Sequence, residues 1–176
     1  MTFCIQVSNP RLIAGDINIE NDYSLGDVLE SIYDLNSEKV IITWNNIYIP
    51  LSYKYDISIM VDDIIYMLKS VLSSEEGDIK FDWPSNTFDV NWQIHWDKEL
   101  LRIESHWNEV LGGLTELLNK KNNVQLKKSD FLNEWKMLLQ KLNTHLKEAQ
   151  LENSKYVREL EGLIKQIKGY GLLYNY

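Results

Sequence analysis

Asp89-Val90-Asn91-Trp92-Gln93-Ile94-His95-Trp96-Asp97-Lys98-Glu99-Leu100-Leu101-Arg102-Ile103-Glu104-Ser105-His106-Trp107-Asn108-Glu109 is the stretch from which the fold can be read. Apolar and polar residues alternate on both sides of Asp97-Lys98-Glu99-Leu100, which predicts a β-hairpin with its loop at those four residues. Trp96 then faces Leu101, Ile94 faces Ile103, Trp92 faces Ser105 and Val90 faces Trp107. That register puts the large apolar side chains on one face, and Asn91, Gln93, His95, Arg102, Glu104 and His106 on the other. A slip of one residue would mix the two sets, so the pattern itself fixes the register. His95 pairs with Arg102 and Gln93 with Glu104 on the polar side.

Outward from the hairpin, Ile79–Trp83 reads as a further strand, with a break at Pro84-Ser85-Asn86. Trp83 beside Pro84 is either core or an exposed interface anchor. Phe3, Ile5 and Val7 alternate with polar neighbours and predict a strand that Asn9-Pro10 ends. Ile17 and Ile19 suggest a short second one. Ser24-Leu25-Gly26-Asp27 has capping-box spacing, and Val28, Leu29, Ile32 and Leu35 share a helical face, predicting a helix over 25–36. Val40–Trp44 and Ile47–Ile49 are strands around an Asn45-Asn46 turn, with Pro50 marking an edge or a bulge. Ser58 is a candidate N-cap for a helix over 58–72, which would set Asp62 and Asp63 in its first turns.

Past Leu111 the period changes from two to 3.6. A short helix is expected within Leu111–Asn119. A long one over 129–149 would be capped by Ser129, and a last one over 154–168 would be stopped by Gly169 and Gly171. The expectation is one α+β domain of 176 residues. An antiparallel sheet packs on helices in residues 1–110, and residues 111–176 form a helical part.

Charge divides the chain more sharply than composition does. Residues 1–97 carry 16 Asp and Glu against 5 Lys and Arg, whereas residues 98–176 carry 10 against 13. An acidic front half repels nucleic acid and anionic lipid and attracts basic protein surfaces. The expected partner is therefore a protein, with no nucleic acid and no membrane. The N-terminal residues Met1–Gln6 lack a basic segment followed by a long apolar run, and no stretch approaches a membrane span, so the expected location is the cytoplasm.

Candidate chemistry is sparse. The single cysteine, Cys4, reads as a small apolar residue on a strand rather than a reactive thiol. Three histidines and one cysteine have no metal-ligand spacing, and no cofactor is expected. Asp62-Asp63 and the group Asp78, Asp82 and Asp89 fit no carboxylate-pair geometry and read first as a solvated acidic face. Gly112-Gly113 lacks the Lys-Ser/Thr of a phosphate loop. The polar hairpin face is read as the solvated side of a sheet or as a partner-binding surface. On the second reading Asp78, Asp82, Asp89, Asn91, Gln93, His95, Arg102, Glu104 and His106 are the contact residues.

The strand-turn-strand Val40-Ile41-Ile42-Thr43-Trp44-Asn45-Asn46-Ile47-Tyr48-Ile49-Pro50, the helix Ile59–Leu72 and the Trp-rich segment from Asp82-Trp83-Pro84 to Trp107 together cover about half the chain. In these features the chain resembles the small acidic immunity proteins of bacterial polymorphic toxin and contact-dependent growth inhibition systems. The resemblance implies a cytoplasmic, non-catalytic protein that binds and neutralises one cognate toxin domain, and it carries over no site residues. The charge adds that this domain is basic, and the expectation is a toxin domain of nuclease type. The alternative is a non-catalytic structural or adaptor module, and a third is an enzyme whose site is assembled from scattered residues.

Overall fold

The computed structural model describes residues 2–13 and 22–173. The suggested strand around Ile17 and Ile19 lies outside them. The expected α+β architecture is present, with two antiparallel sheets in place of one. The first sheet has the order β1-β2-β3, from Phe3–Gln6, Lys39–Trp44 and Ile47–Ser52. The second has the order β4-β5-β6-β7, from Gly77–Ser85, Phe88–Trp96, Leu100–Val110 and Asn123–Lys127.

The hairpin register is the one the alternation requires. Val90 pairs with Trp107, Trp92 with Ser105, Ile94 with Ile103 and Trp96 with Leu101. A bulge at Asp89/Val90 admits Asn108 as the extra residue. The Asn45-Asn46 turn has φ of 49° and 63°, the left-handed pair of a tight hairpin. Pro50 lies on β3, at the sheet edge, where its missing N–H removes nothing from the ladder.

The two sheets meet through aromatic rings. Trp44 of β2 packs on Trp92 at 5.3 Å and edge-on to Trp107 at 5.2 Å, and Phe3 reaches Trp92 at 6.1 Å. Trp83 is 4.4 Å from Trp92 and stands perpendicular to Trp135 at 5.9 Å. Trp83 is 1% exposed, so it is core and not an interface anchor. The reason is that β4 continues through Pro84 to Ser85 as an edge strand, which keeps the inward parity of Phe81 and Trp83. The buried side chains of both sheets and of the long helices form one hydrophobic cluster.

Helices differ from expectation at their ends. The first, α1 (Leu25–Ile32), has the capping box at Ser24 and Asp27 but stops early. Tyr33 turns extended and bridges to Leu12, which sends the Tyr33 ring into the core and leaves Leu35 49% exposed. Ser58 does not cap α2 (Ser58–Ser73), because a π-helical turn, Tyr53–Ile57, already precedes it. The turn starts from Ser52, whose hydroxyl accepts from Tyr55 N at 3.4 Å and whose N–H donates to Asp56 at 2.6 Å. Asp62 and Asp63 consequently stand inside the helix rather than in its first turn. Buried Asp56 also accepts from the hydroxyls of Ser85 and Thr87, clasping this turn to the β4–β5 hairpin.

The C-terminal part is not wholly helical. After α3 (Thr115–Lys120), β7 adds a fourth strand to the second sheet. It runs straight into α4 (Lys128–Glu148), so Lys127 rather than Ser129 is the N-cap residue. Lys128 is buried, and its ammonium donates to Ser74 O at 2.7 Å. The last helix, α5 (Lys155–Leu173), continues through Gly169 and Gly171. Tyr170 sits beneath the Lys128 ammonium at 5.3 Å and bonds Lys98 O at 3.3 Å, contacts that favour the helix against the poor propensity of glycine.

Candidate functional site

All nine candidate residues stand on the outer face of the second sheet. Strand pairing arranges them in rows: Asp78, His95, Arg102 and Gln125; Lys80, Gln93, Glu104 and Asn123; Asp82, Asn91 and His106. Beneath them Trp92, Ile94 and Ile103 are buried to 1% exposure or less, so the polar groups are carried on a packed, rigid floor.

Part of the face is held by its own hydrogen bonds. Asn91 donates to Asp82, and Asn108 donates to Asp89 at 2.8 Å and to Asn91 at 3.1 Å. These amides hold two carboxylates in place without neutralising them. Arg102 and Glu104, two apart on β6, pair at 2.8 Å with both side chains about half exposed. An ion pair so exposed contributes at most about 1 kcal/mol to stability. Asp78, Gln93, His95 and His106 make no side-chain hydrogen bond to other described residues and present their polar atoms outward.

The relief is low. One open depression of about 330 Å³ lies over Lys80, Asp82, Asn91, Gln93, Glu104 and His106. A second, of about 290 Å³, lies at the hairpin end over His95, Asp97, Arg102 and Gln125. His95 and His106 border different depressions, consistent with their separation in the register. Among the described residues no group of three or more His, Cys, Asp or Glu side chains is placed to hold a metal ion. No described helix is long and apolar enough to cross a membrane. Burial and the neighbouring Glu134 carboxylate push the Cys4 thiol up from its ordinary pKa, which disfavours the reactive thiolate.

Sequence reasoning missed part of the face. Asn123 and Gln125 of β7 complete two of the rows, and Lys127 stands opposite Leu100. The signal for them is the alternation of Val124 and Leu126 with these three, a five-residue strand hidden between two helices. Lys80 follows from the same parity as Asp78 and Asp82. With Lys80, Arg102 and Lys127 beside Asp78, Asp82, Asp89, Glu104 and Glu109, the face is mixed in charge rather than purely acidic. Of the described carboxylates in residues 1–97, only Asp56 is buried. Asp22, Asp27, Glu30, Asp62 and Asp63 belong to a different surface, around α1 and α2.

Comparison with protein-family models, with curated proteins and with solved structures gives no match to this chain.

Proposed function

We propose that this chain is an immunity protein that binds a basic bacterial toxin domain, of nuclease type, in the cytoplasm and neutralises it without catalysis. The observation that carries the reading is the surface position of the front-half carboxylates, with every described one except Asp56 at least partly open to solvent. Carboxylates in water cost little to keep charged and draw a basic partner from a distance. Charge complementarity raises the rate of encounter and rejects acidic competitors.

Neutralisation needs only occlusion. An acidic surface seated on the phosphate-binding cleft of a nuclease takes the place of the nucleic-acid backbone and blocks substrate. The low relief of the sheet face suits contact with a protein surface, and its fixed rows of amides, carboxylates and imidazoles provide donors and acceptors for the rim of such an interface.

The test is protection. Should a secreted protein ending in a basic domain be encoded beside this chain, that domain is expressed with and without it, and the purified pair is examined for a stoichiometric complex. The reading expects rescue of growth and a complex with the inactivated domain. Absence of both would overturn it, and a stable complex without rescue would favour the adaptor alternative.

A further inference from the structure

The sheet face supplies polar contacts but few anchors. Binding energy in protein interfaces concentrates on a few large side chains, with Tyr and Trp prominent, set among residues that exclude water. On the outer sheet face every Trp points inward. The exposed side of α2 is different. Ile59 is 49% exposed and Tyr66 60%, with Tyr55 of the preceding π-turn at 41%. Helical spacing places Ile59, Asp62, Asp63 and Tyr66 along one stripe.

The flank of this stripe is acidic. Gly26 of α1 lies against α2, close enough that its N–H donates to the Asp62 carboxylate at 3.2 Å, and Asp27 and Glu30 are exposed on the same short helix. The nearby cation, Lys54, is already committed, donating to the carbonyls of Glu30 at 2.6 Å and Tyr33 at 3.2 Å. Lys69, one turn beyond Tyr66, is paired with Glu159 at 2.7 Å. Among the described residues no salt bridge reaches Glu30, Asp62 or Asp63. Partial burial and the adjoining Asp62 push the Asp63 carboxyl above its ordinary range, and a positive group placed there would relieve that cost.

We infer that the face made by α1 and the outer side of α2 is the main docking surface for a basic protein partner, with Ile59 and Tyr66 as apolar anchors and Glu30, Asp62 and Asp63 as the charged surround. The partner's basic character comes from the functional reading above and from charge complementarity at this face. A second copy of the chain would bring like charges together here. The outer sheet face then forms a secondary, polar contact or none.

The test uses the full chain and the inactivated basic domain described above, with binding followed by calorimetry. Ile59→Ala and Tyr66→Ala are each expected to weaken binding at least about tenfold, the loss typical of an interface anchor. Asp63→Lys should weaken it by a similar factor, whereas Gln93→Ala and His106→Ala on the sheet should change it less than about threefold. Tyr66 touches Phe81 edge-on at 6.3 Å, so Ile59→Ala serves as the second variant should Tyr66→Ala perturb folding. Losses confined to the sheet variants would overturn the inference and leave the functional reading standing. Failure of the unmodified chain to bind that domain would overturn both. A shift of the chain's own sedimentation from dimer to monomer in Ile59→Ala would make the face a self-interface, which also overturns the inference.

Discussion

His145 should make this protein acid-labile, and one substitution should remove much of that lability. The residue is fully buried on α4, where Nδ1 lies 2.8 Å from the Tyr33 hydroxyl and Nε2 has no hydrogen-bond partner. Tyr53 packs edge-on to the imidazole at 5.9 Å. Burial, aided by the positive charge of Lys141, lowers the His145 pKa from 6.5 to about 4. Because the folded-state value is depressed, the unfolded chain binds the proton more tightly. The neutral imidazole's contribution is therefore complete above pH 6.5 and is lost as pH falls towards 4. At pH 4.5 the loss from this group alone is about 2.5 kcal/mol, from 1.36 kcal/mol per pKa unit. With a urea slope near 2 kcal/mol/M, that is a fall of about 1 M in the midpoint. Gln at 145 is uncharged and can still bond Tyr33. Urea unfolding of wild type and His145→Gln at pH 7 and pH 4.5 isolates the effect from the carboxylates, which titrate in both proteins. The wild type should lose about 1 M more of its midpoint than the variant. Equal losses would refute the assignment of a buried neutral imidazole.

Three other measurements bear on the fold. Ile103→Ala should cost about 2–5 kcal/mol, a large fall in thermal midpoint, since Ile103 is fully buried between Ile94 and Val124. Arg102→Ala should cost under about 1 kcal/mol, because its ion pair is solvated; the reverse order would invert the hairpin register. Gly26→Ala should destabilise by about 1–3 kcal/mol in denaturant unfolding. A Cβ there would collide with the Ser58 carbonyl oxygen, so α1 and α2 would have to separate.

The parts of this fold that were legible in the sequence share one property: parity decides them. Trp92, Ile94, Ile103 and Trp107 can share a face in only one register, and that register also collects seven of the nine polar candidates on the opposite side, which Asp78 and Asp82 join from β4. The Asn45-Asn46 turn was legible because both residues accept positive φ. What escaped was set by partners distant in sequence. The helical run before Ser58 depends on Asp56 being clasped by Ser85 and Thr87, and Asp56 on its own looks like any solvated carboxylate. The burial of His145 depends on α1 ending at Ile32, which delivers Tyr33 to it. Helix α5 passes through two glycines because Tyr170 finds Lys128 and Lys98. Trp83 followed a strand that local rules ended at Pro84.

Within the functional site, the exposed residues of the hairpin were readable, whereas those of β7 and the electrostatic balance of the face were not. Lys80, Arg102 and Lys127 come from three different strands. Only the assembled sheet puts them among the carboxylates. That no described salt bridge reaches Glu30, Asp62 or Asp63 likewise depends on Lys54 being turned back onto the carbonyls of Glu30 and Tyr33.

The most direct measurement of the central claim is the association rate with the inactivated basic toxin domain as a function of ionic strength. If front-half carboxylates recruit the partner, the rate should fall at least about tenfold as salt rises and the screening length shrinks from about 30 Å to about 3 Å. Reversing Asp63 and Asp78 to lysine should slow association more than reversing Glu148 and Glu152 in the back half. All four side chains are exposed. A rate independent of salt, or a greater loss from the back-half pair, would contradict recognition by the acidic front half.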